Sequence, residues 1–475
     1  MDHVSIRLSD GVTLAVPASL KSISTYVLLE QEAWFEKECA FVTRWLKPGM
    51  TVIDIGANIG VYSIPMAMRV APGGRVIAYE PASEPRQLLD VSRQLNQANN
   101  LEIVAAALSD GERRGRLVFG ASSELNALGR TGAGEAVRIT SLDREEAAQS
   151  WSPPDFVKID AEGEEERILA GGSGFFDRHS PLVLFEIKAG AVINTKLRSA
   201  FIDIGYDCYR VLAGEPILVR SDPRTPLDDY ELNLFAAKPD RARRLAEDGY
   251  LVDPLRAWEP DANARSAALD ALKARPFARV MNFDAVHDPD YLDGLAGYAQ
   301  WRDRTRPVAQ RCEALAFAFT TLQALCRRAP SAARLSSFAR SASDFGRRAE
   351  CVAALQQLLP IANQAARPPS EPFWPASARF DEIEAPAGQG QPWFLAMALE
   401  QFERSANYSS VFTGQSSYLP WLCTQPFAAT EMERRRFLQA ARAGQRMDVP
   451  PRLQREAPDH LNAALWRQRE VVATL

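Results

Sequence analysis

Histidine is the scarcest residue type in this chain, 4 among 475 residues. His3 stands at the start, His179 just before a strand candidate, and His287 and His460 in the second half, so no imidazole is placed to act as a base. The six cysteines (Cys39, Cys208, Cys312, Cys326, Cys351 and Cys423) are scattered and include no C-x-x-C pair. That excludes a disulfide framework and a cysteine zinc site, and leaves reduced, structural thiols. No run approaches the roughly 18 apolar residues of a membrane span, and MDHVSIRLSDG lacks the basic-then-apolar order of a secretory signal. A cytoplasmic protein without a membrane span is expected. Arginine far outnumbers lysine, yet acids interleave throughout and no basic stripe with regular aromatics occurs, so nucleic acid is not an expected partner.

At 475 residues the chain is too long for one ordinary core. The net charge of −5 divides into about −8 over residues 1–250 and about +3 over 251–475, which supports two units with that boundary. In the first unit strands and helices alternate. A hairpin is expected around Ser9-Asp10-Gly11, and helical spacing over Leu28 to Leu46 stops at Pro48-Gly49. Strand candidates follow at Val52 to Ile55, Arg75 to Glu80, Leu101 to Ala107, Phe156 to Asp160 and Leu182 to Ile187, with extra strands in GRLVFG and EAVRITSLD. The alternation implies a doubly wound parallel sheet of α/β class, with its ligand at the carboxyl ends of the strands.

The segment TVIDIGANIG (Thr51 to Gly60) joins a buried-looking strand to a helix through a glycine turn, and glycines there let a ligand approach the backbone. A dinucleotide site would read G-x-G-x-x-G. GANIG does not, so nothing here has to hold a pyrophosphate. Glu80 ends the next strand, where a carboxylate accepts from both hydroxyls of a ribose. Asp54, Gly56, Gly60 and Glu80 together favour S-adenosylmethionine, which has a ribose to grip and a cationic sulfonium.

VIDIGANIGVYSI, VIAYEP, ITSLD and FVKIDAEGEEERILAGG resemble the FkbM family of methyltransferases over about residues 25 to 240. Ala161 stands where that family more often has valine. The resemblance implies a class I, Rossmann-like methyltransferase fold and transfer of a methyl group from S-adenosylmethionine to a hydroxyl of a glycan or secondary metabolite. It places cofactor contacts at Asp54, Gly56, Asn58, Gly60 and Glu80.

KIDAEGEEE puts five carboxylates between Asp160 and Glu166. Glu164, Glu165 and Glu166 fall where a helix begins, and acids there suit its dipole. Asp160 ends a strand on the ligand side, and Glu162 lies in the turn after it. The catalytic candidates are thus Asp160, Glu162 and Lys158. Either Asp160 takes the acceptor's proton, or Asp160 and Glu162 hold a magnesium ion that acidifies the hydroxyl. Lys158 shares a strand face with Asp160 and needs a carboxylate partner, Asp160 or Glu186.

Beyond residue 250 the segments turn helical. PSAARLSSFARSASDFGRRAECVAALQQLLP spaces apolar residues on two helices about Gly346, resembling one tetratricopeptide-type hairpin, and ARPPSEPFWPASARF reads as a loop or linker. Two readings follow. One is an O-methyltransferase whose helical domain selects its acceptor or recruits a protein partner. The other is a cofactor-binding scaffold without turnover, its function residing in the helical domain. Separable halves are expected, with a chain ending between Lys238 and Gly249 folding alone.

Overall fold

The computed structural model describes residues 2–468 apart from 119, 121–126, 130–133, 150 and 190–191. The hairpin forms as expected: β1 (His3–Arg7) pairs antiparallel with β2 (Thr13–Pro17) around a turn in which Gly11 has φ +93°. Strands β3 (Thr51–Ile55), β4 (Arg75–Tyr79) and β5 (Leu101–Val104) then build one side of the main sheet. Next, β6 (Ala107–Leu108), β7 (Arg113–Val118), β8 (Ala127–Gly129) and β9 (Glu135–Thr140) leave it for a separate four-stranded sheet. The strand expected over Leu101 to Ala107 therefore splits between two sheets.

The chain returns with β10 (Phe156–Ile159) and β11 (Leu182–Glu186), followed by the small pair β12 (Lys188–Ala189) and β13 (Val192–Ile193). The remaining strands are β14 (Asp207–Val211), β15 (Leu218–Arg220), β16 (Asn233–Ala237) and β17 (Leu251–Val252). The nine-stranded sheet runs β17-β15-β14-β16-β11-β10-β3-β4-β5. From β5 to β11 the pairs are parallel, while β16 lies antiparallel to both neighbours, giving the doubly wound sheet of a class I methyltransferase. Because β3 is followed by β4 on one side and β10 arrives on the other, the topology reverses between β3 and β10, and a crevice opens at their carboxyl ends.

The helical stretch expected over Leu28 to Leu46 is two helices, α1 (Ile23–Gln31) and α2 (Lys37–Trp45). Helix α1 ends at Glu32 in the left-handed region, φ 54°. The reason lies more than 400 residues away in sequence: the Glu32 carboxylate accepts from the backbone of Leu461 and Asn462 and from the Asn462 side chain. Tyr26, Val27, Leu28 and Leu29 are all buried, so α1 has apolar neighbours on every side. Its outer partner is the helix Thr430–Arg442, where buried Arg434 and Arg435 meet buried Glu32 and Glu30 at 3.5 and 3.1 Å.

Beyond β17 the described chain is helical. Ala332–Asp344 and Arg348–Gln364 form the expected hairpin, turning at Gly346 with φ +76°. The stretch read as a loop or linker is a loop, but Phe373, Trp374 and Phe380 within it are fully buried in the helical core. No helix of the described residues is long and apolar enough to cross a membrane.

Phe437, Leu438, Leu453 and Trp466 join the apolar core of the N-terminal sheet. The composition boundary near residue 250 is thus bridged by a shared core. A chain ending at Gly249 would lose Phe437, Leu438, Leu453 and Trp466 from this core together with the arginines that meet Glu30 and Glu32, and would uncover apolar surface of α1 to water. Such a chain is expected to melt at least about 10 °C below the full one by scanning fluorimetry. Equal melting temperatures would show the shared core to be dispensable.

Candidate active site

The turn after β3 is built by local backbone demands. Gly56 (φ +78°), Asn58 (φ +48°) and Gly60 (φ +95°) all take left-handed conformations, which glycine and asparagine tolerate best. The space that glycine leaves is filled by protein here. A Cβ on Gly56 would lie 1.7 Å from the carbonyl oxygen of Asp160, and one on Gly60 would lie 2.5 Å from the Leu89 side chain. Both glycines therefore serve close packing inside the protein, and Gly56 also lines the cavity above. The Gly56 and Ala57 N–H groups donate to the Tyr79 carbonyl at 3.0 and 3.1 Å, so the turn is fixed against β4 as well.

A cavity of about 530 Å³ opens above this turn. Of the residues singled out from sequence, Gly56, Asn58, Glu80, Lys158, Asp160 and Glu162 line it. Asp54 and Gly60 lie beneath. Glu80, nearly buried, accepts from the Asn58 N–H (2.8 Å) through one carboxylate oxygen and from the Ala82 N–H (2.7 Å) through the other. Each oxygen keeps a second lone pair. Burial, partly opposed by these two N–H donors, pushes the Glu80 carboxyl up to about 7.

Lys158 explains the polar core. It sits opposite Asp54 in the β3–β10 register. Its ammonium is 2.8 Å from Asp160 Oδ2 and 3.9 Å from Asp54 Oδ1, and lies over the Tyr62 ring at 5.0 Å. Burial opposes the charge, but Asp160, Asp54 and Glu36 outweigh it and hold the lysine pKa above its ordinary value. Of the two partners expected for Lys158, the structure selects Asp160 and adds Asp54. Asp54 is fully buried and accepts from Ser63 Oγ at 2.5 Å, while its Oδ1 accepts no hydrogen bond among the described residues.

The acidic turn is more than a decorated helix start. Glu165 Oε1 accepts from the backbone N–H groups of Ala161 and Gly163, both at 3.1 Å, and so fixes the loop that carries Asp160 and Glu162. Glu164 accepts from Ser109 Oγ at 2.5 Å and from Arg167. Asp160, Glu162 and Glu186 each offer an oxygen within 4.8 Å of the others. Burial, and then the neighbouring Asp160, Glu162 and Glu36, push the Glu186 carboxyl well above the usual carboxylate range.

Sequence reasoning missed Glu36 and the aromatic side of the cavity. Glu36 accepts from Tyr62 OH (2.6 Å), Trp34 Nε1 (2.9 Å) and Asn233 Nδ2 (3.0 Å). Its only signal was an acid beside Trp34-Phe35, hidden inside what reads as one long helix. Asn407, Tyr408 and Phe412 reach the cavity from the far end of the chain, and nothing local marks them.

Residues 54–208 match the family described as the methyltransferase FkbM domain, and this part of the chain carries that domain. Over 68 residues, 14% of its length, the chain is 41% identical to the AMB antimetabolite synthetase AmbE of Pseudomonas aeruginosa, of which it spans only 3%. Among solved structures it is similar to a methyltransferase FkbM from Methylobacillus flagellatus KT, with 17% identity over 42% of this chain and 50% of that one and a TM-score of 0.29. It is also similar to an O-methyltransferase from Bacillus cereus in complex with SAH, with 12% identity over 46% and 81% of the two chains and a TM-score of 0.25.

Proposed function

We propose that this chain, which carries a methyltransferase FkbM domain, transfers a methyl group from S-adenosylmethionine to a hydroxyl of a sugar or secondary metabolite. The observation that carries the reading is Glu80: a buried carboxylate at the end of β4, facing a cavity at the sheet's reversal point, with a lone pair free on each oxygen. The remaining lone pair on each oxygen fits one of the two hydroxyls of a ribose. The carboxylates of Asp160 and Glu36 on the same cavity suit the cationic end of the cofactor. Bound there, S-adenosylmethionine supplies an electrophilic methyl group.

The protein's own residues then have three tasks. Glu80 and the Gly56–Asn58 turn hold the cofactor. Asp160 receives the acceptor's proton, since no histidine lines the cavity. Lys158, held by Asp54 and Asp160, fixes the Asp160 carboxylate and balances its charge. Between the two routes for proton removal we assign the direct one, because the Lys158 ammonium already occupies an Asp160 oxygen at 2.8 Å. Rate depends further on holding oxygen, methyl carbon and sulfur collinear, which a site set on strand ends favours.

The test is conversion of S-adenosylmethionine to its demethylated product with candidate hydroxyl acceptors, paired with binding to Glu80→Gln. That variant keeps shape and removes the charge, and should weaken S-adenosylhomocysteine binding by about 1.5–3 kcal/mol, the scale of hydrogen bonds to a charged group. With the Glu80 carboxyl near 7 in the free protein, its ionised form is depleted below that pH, so wild-type affinity should fall as pH drops through about 7. Calorimetry should show that slope flattened in Glu80→Gln. Unchanged affinity and an unchanged pH slope would remove Glu80 from the cofactor site.

A further inference from the structure

Three rings in mutual contact close one side of the cavity. Phe35 lies 5.4 Å from Tyr408 and 6.4 Å from Phe412, centroid to centroid, and Tyr408 lies 6.4 Å from Phe412. Phe35 comes from the break between α1 and α2, while the other two come from the helical half. Tyr408 is held in place: its hydroxyl donates to the Tyr230 carbonyl at 3.0 Å, and the Arg348 guanidinium lies over its ring at 4.8 Å. Phe412 is anchored on one side by its ring contacts, yet is 48% exposed. An aromatic ring left half in water at the mouth of a cavity is a surface awaiting an apolar partner.

The charge around this wall has one prevailing sign. Glu36, Asp160, Glu162 and Glu164 line the cavity against two lysines. Lys158 is held by Asp54 and Asp160, and Lys188 donates to the Asp229 carbonyl. After burial itself, the neighbouring Asp160, Glu162 and Glu36 raise the Glu186 carboxyl further. An incoming anion would meet that field, and an incoming cation would relieve it.

From this combination we infer that the two halves of the chain build the acceptor site jointly: Phe35, Tyr408 and Phe412 stack a ring, and the carboxylates beside them select an acceptor bearing a protonated amine over one bearing a carboxylate or phosphate. The inference rests on the methyl-transfer reading and names its substrate class, a ring-containing hydroxy-amine. The helical half then acts as part of the active-site wall. Cation recognition between aromatic faces and acids is a favourable use of such a wall.

The experiment uses the full chain and three probes in calorimetry: S-adenosylhomocysteine, tyramine, and 4-hydroxyphenylacetate, which keeps tyramine's phenol but carries a carboxylate. With S-adenosylhomocysteine saturating, tyramine should bind at least about tenfold tighter than 4-hydroxyphenylacetate, a difference of about 1.4 kcal/mol. Phe412→Ala, at a half-exposed position, should weaken tyramine at least about fivefold and leave S-adenosylhomocysteine affinity within about twofold. Phe35→Ala should act in the same direction. No tyramine binding, equal binding of the two phenols, or indifference to both substitutions would overturn the inference while leaving the methyl-transfer reading intact. Tyramine binding as expected, without any S-adenosylhomocysteine binding, would keep the aromatic site and sink the methyl-transfer reading.

Discussion

Replacing Asp160 by asparagine should lower turnover at least about 100-fold, the lower end for lost acid–base help, while S-adenosylmethionine affinity changes far less. A hydroxyl is a poor nucleophile at neutral pH, so its proton must leave as the methyl group moves. Asp160 follows the last residue of β10 and lines the cavity; its backbone N–H donates to the Ile55 carbonyl at 3.1 Å, so the carboxylate is carried on a rigid strand end. Glu186 is disfavoured in that place, because burial and its acidic neighbours favour its protonated form. The substitution also removes the nearer carboxylate partner of buried Lys158, Asp54 lying farther off at 3.9 Å, so thermal melting must be followed beside the kinetics. A variant that melts like the wild type yet turns over about 100-fold more slowly identifies the carboxylate's chemical role. Near-normal turnover would reduce Asp160 to a structural partner of Lys158 and move the search for a base to Glu162 or Glu36. Chelator should leave the wild-type rate unchanged, since the assigned route uses the carboxylate directly. Loss of activity with chelator, restored by magnesium, would instead favour the oxygen ligands of Asp160 and Glu162, with Glu186 within reach.

Gly56→Ala is expected to be at least as damaging, through folding. Its Cβ would stand 1.7 Å from the Asp160 carbonyl oxygen, a backbone atom fixed by the parallel β3–β10 pair, and its φ of +78° is strained for alanine. Relief requires the two strand ends to part, which breaks the site at its centre. We expect at least about 3 kcal/mol of destabilisation and loss of measurable S-adenosylmethionine binding. Gly163→Ala is the control: φ is +94° there too, but nothing lies within 4 Å of the added Cβ. It should cost only the conformational penalty of about 1–2 kcal/mol. Equal effects of the two substitutions in chemical denaturation would show that backbone strain, and not the Asp160 contact, governs Gly56.

The features legible in the sequence are those whose causes lie within a few residues. Alternation of Phe156, Lys158 and Asp160 against Val157 and Ile159 put the lysine and the aspartate on one face, and the structure pairs them at 2.8 Å. The strand-to-turn pattern around Asp54 and the acid ending β4 sufficed to place Asn58, Glu80 and Asp160 on one cavity, because parallel strands of a doubly wound sheet present the same end to the ligand. Local pattern misled where a distant partner overrode it. The spacing from Leu28 to Leu46 is helical throughout, but Glu32 answers to Leu461 and Asn462, and the helix stops. That break turns Trp34, Phe35 and Glu36 toward the cavity, and it is met by Tyr408 and Phe412 from more than 370 residues away. By itself the sequence determined the five parallel strands of the sheet, the glycine turn and the acids at its mouth, since backbone conformation and period-two burial are short-range. Only the tertiary structure decided which rings face those acids and which arginines neutralise Glu30 and Glu32, because a buried charge or an apolar face takes whatever partner packing brings to it, and spacing along the chain carries no record of that choice.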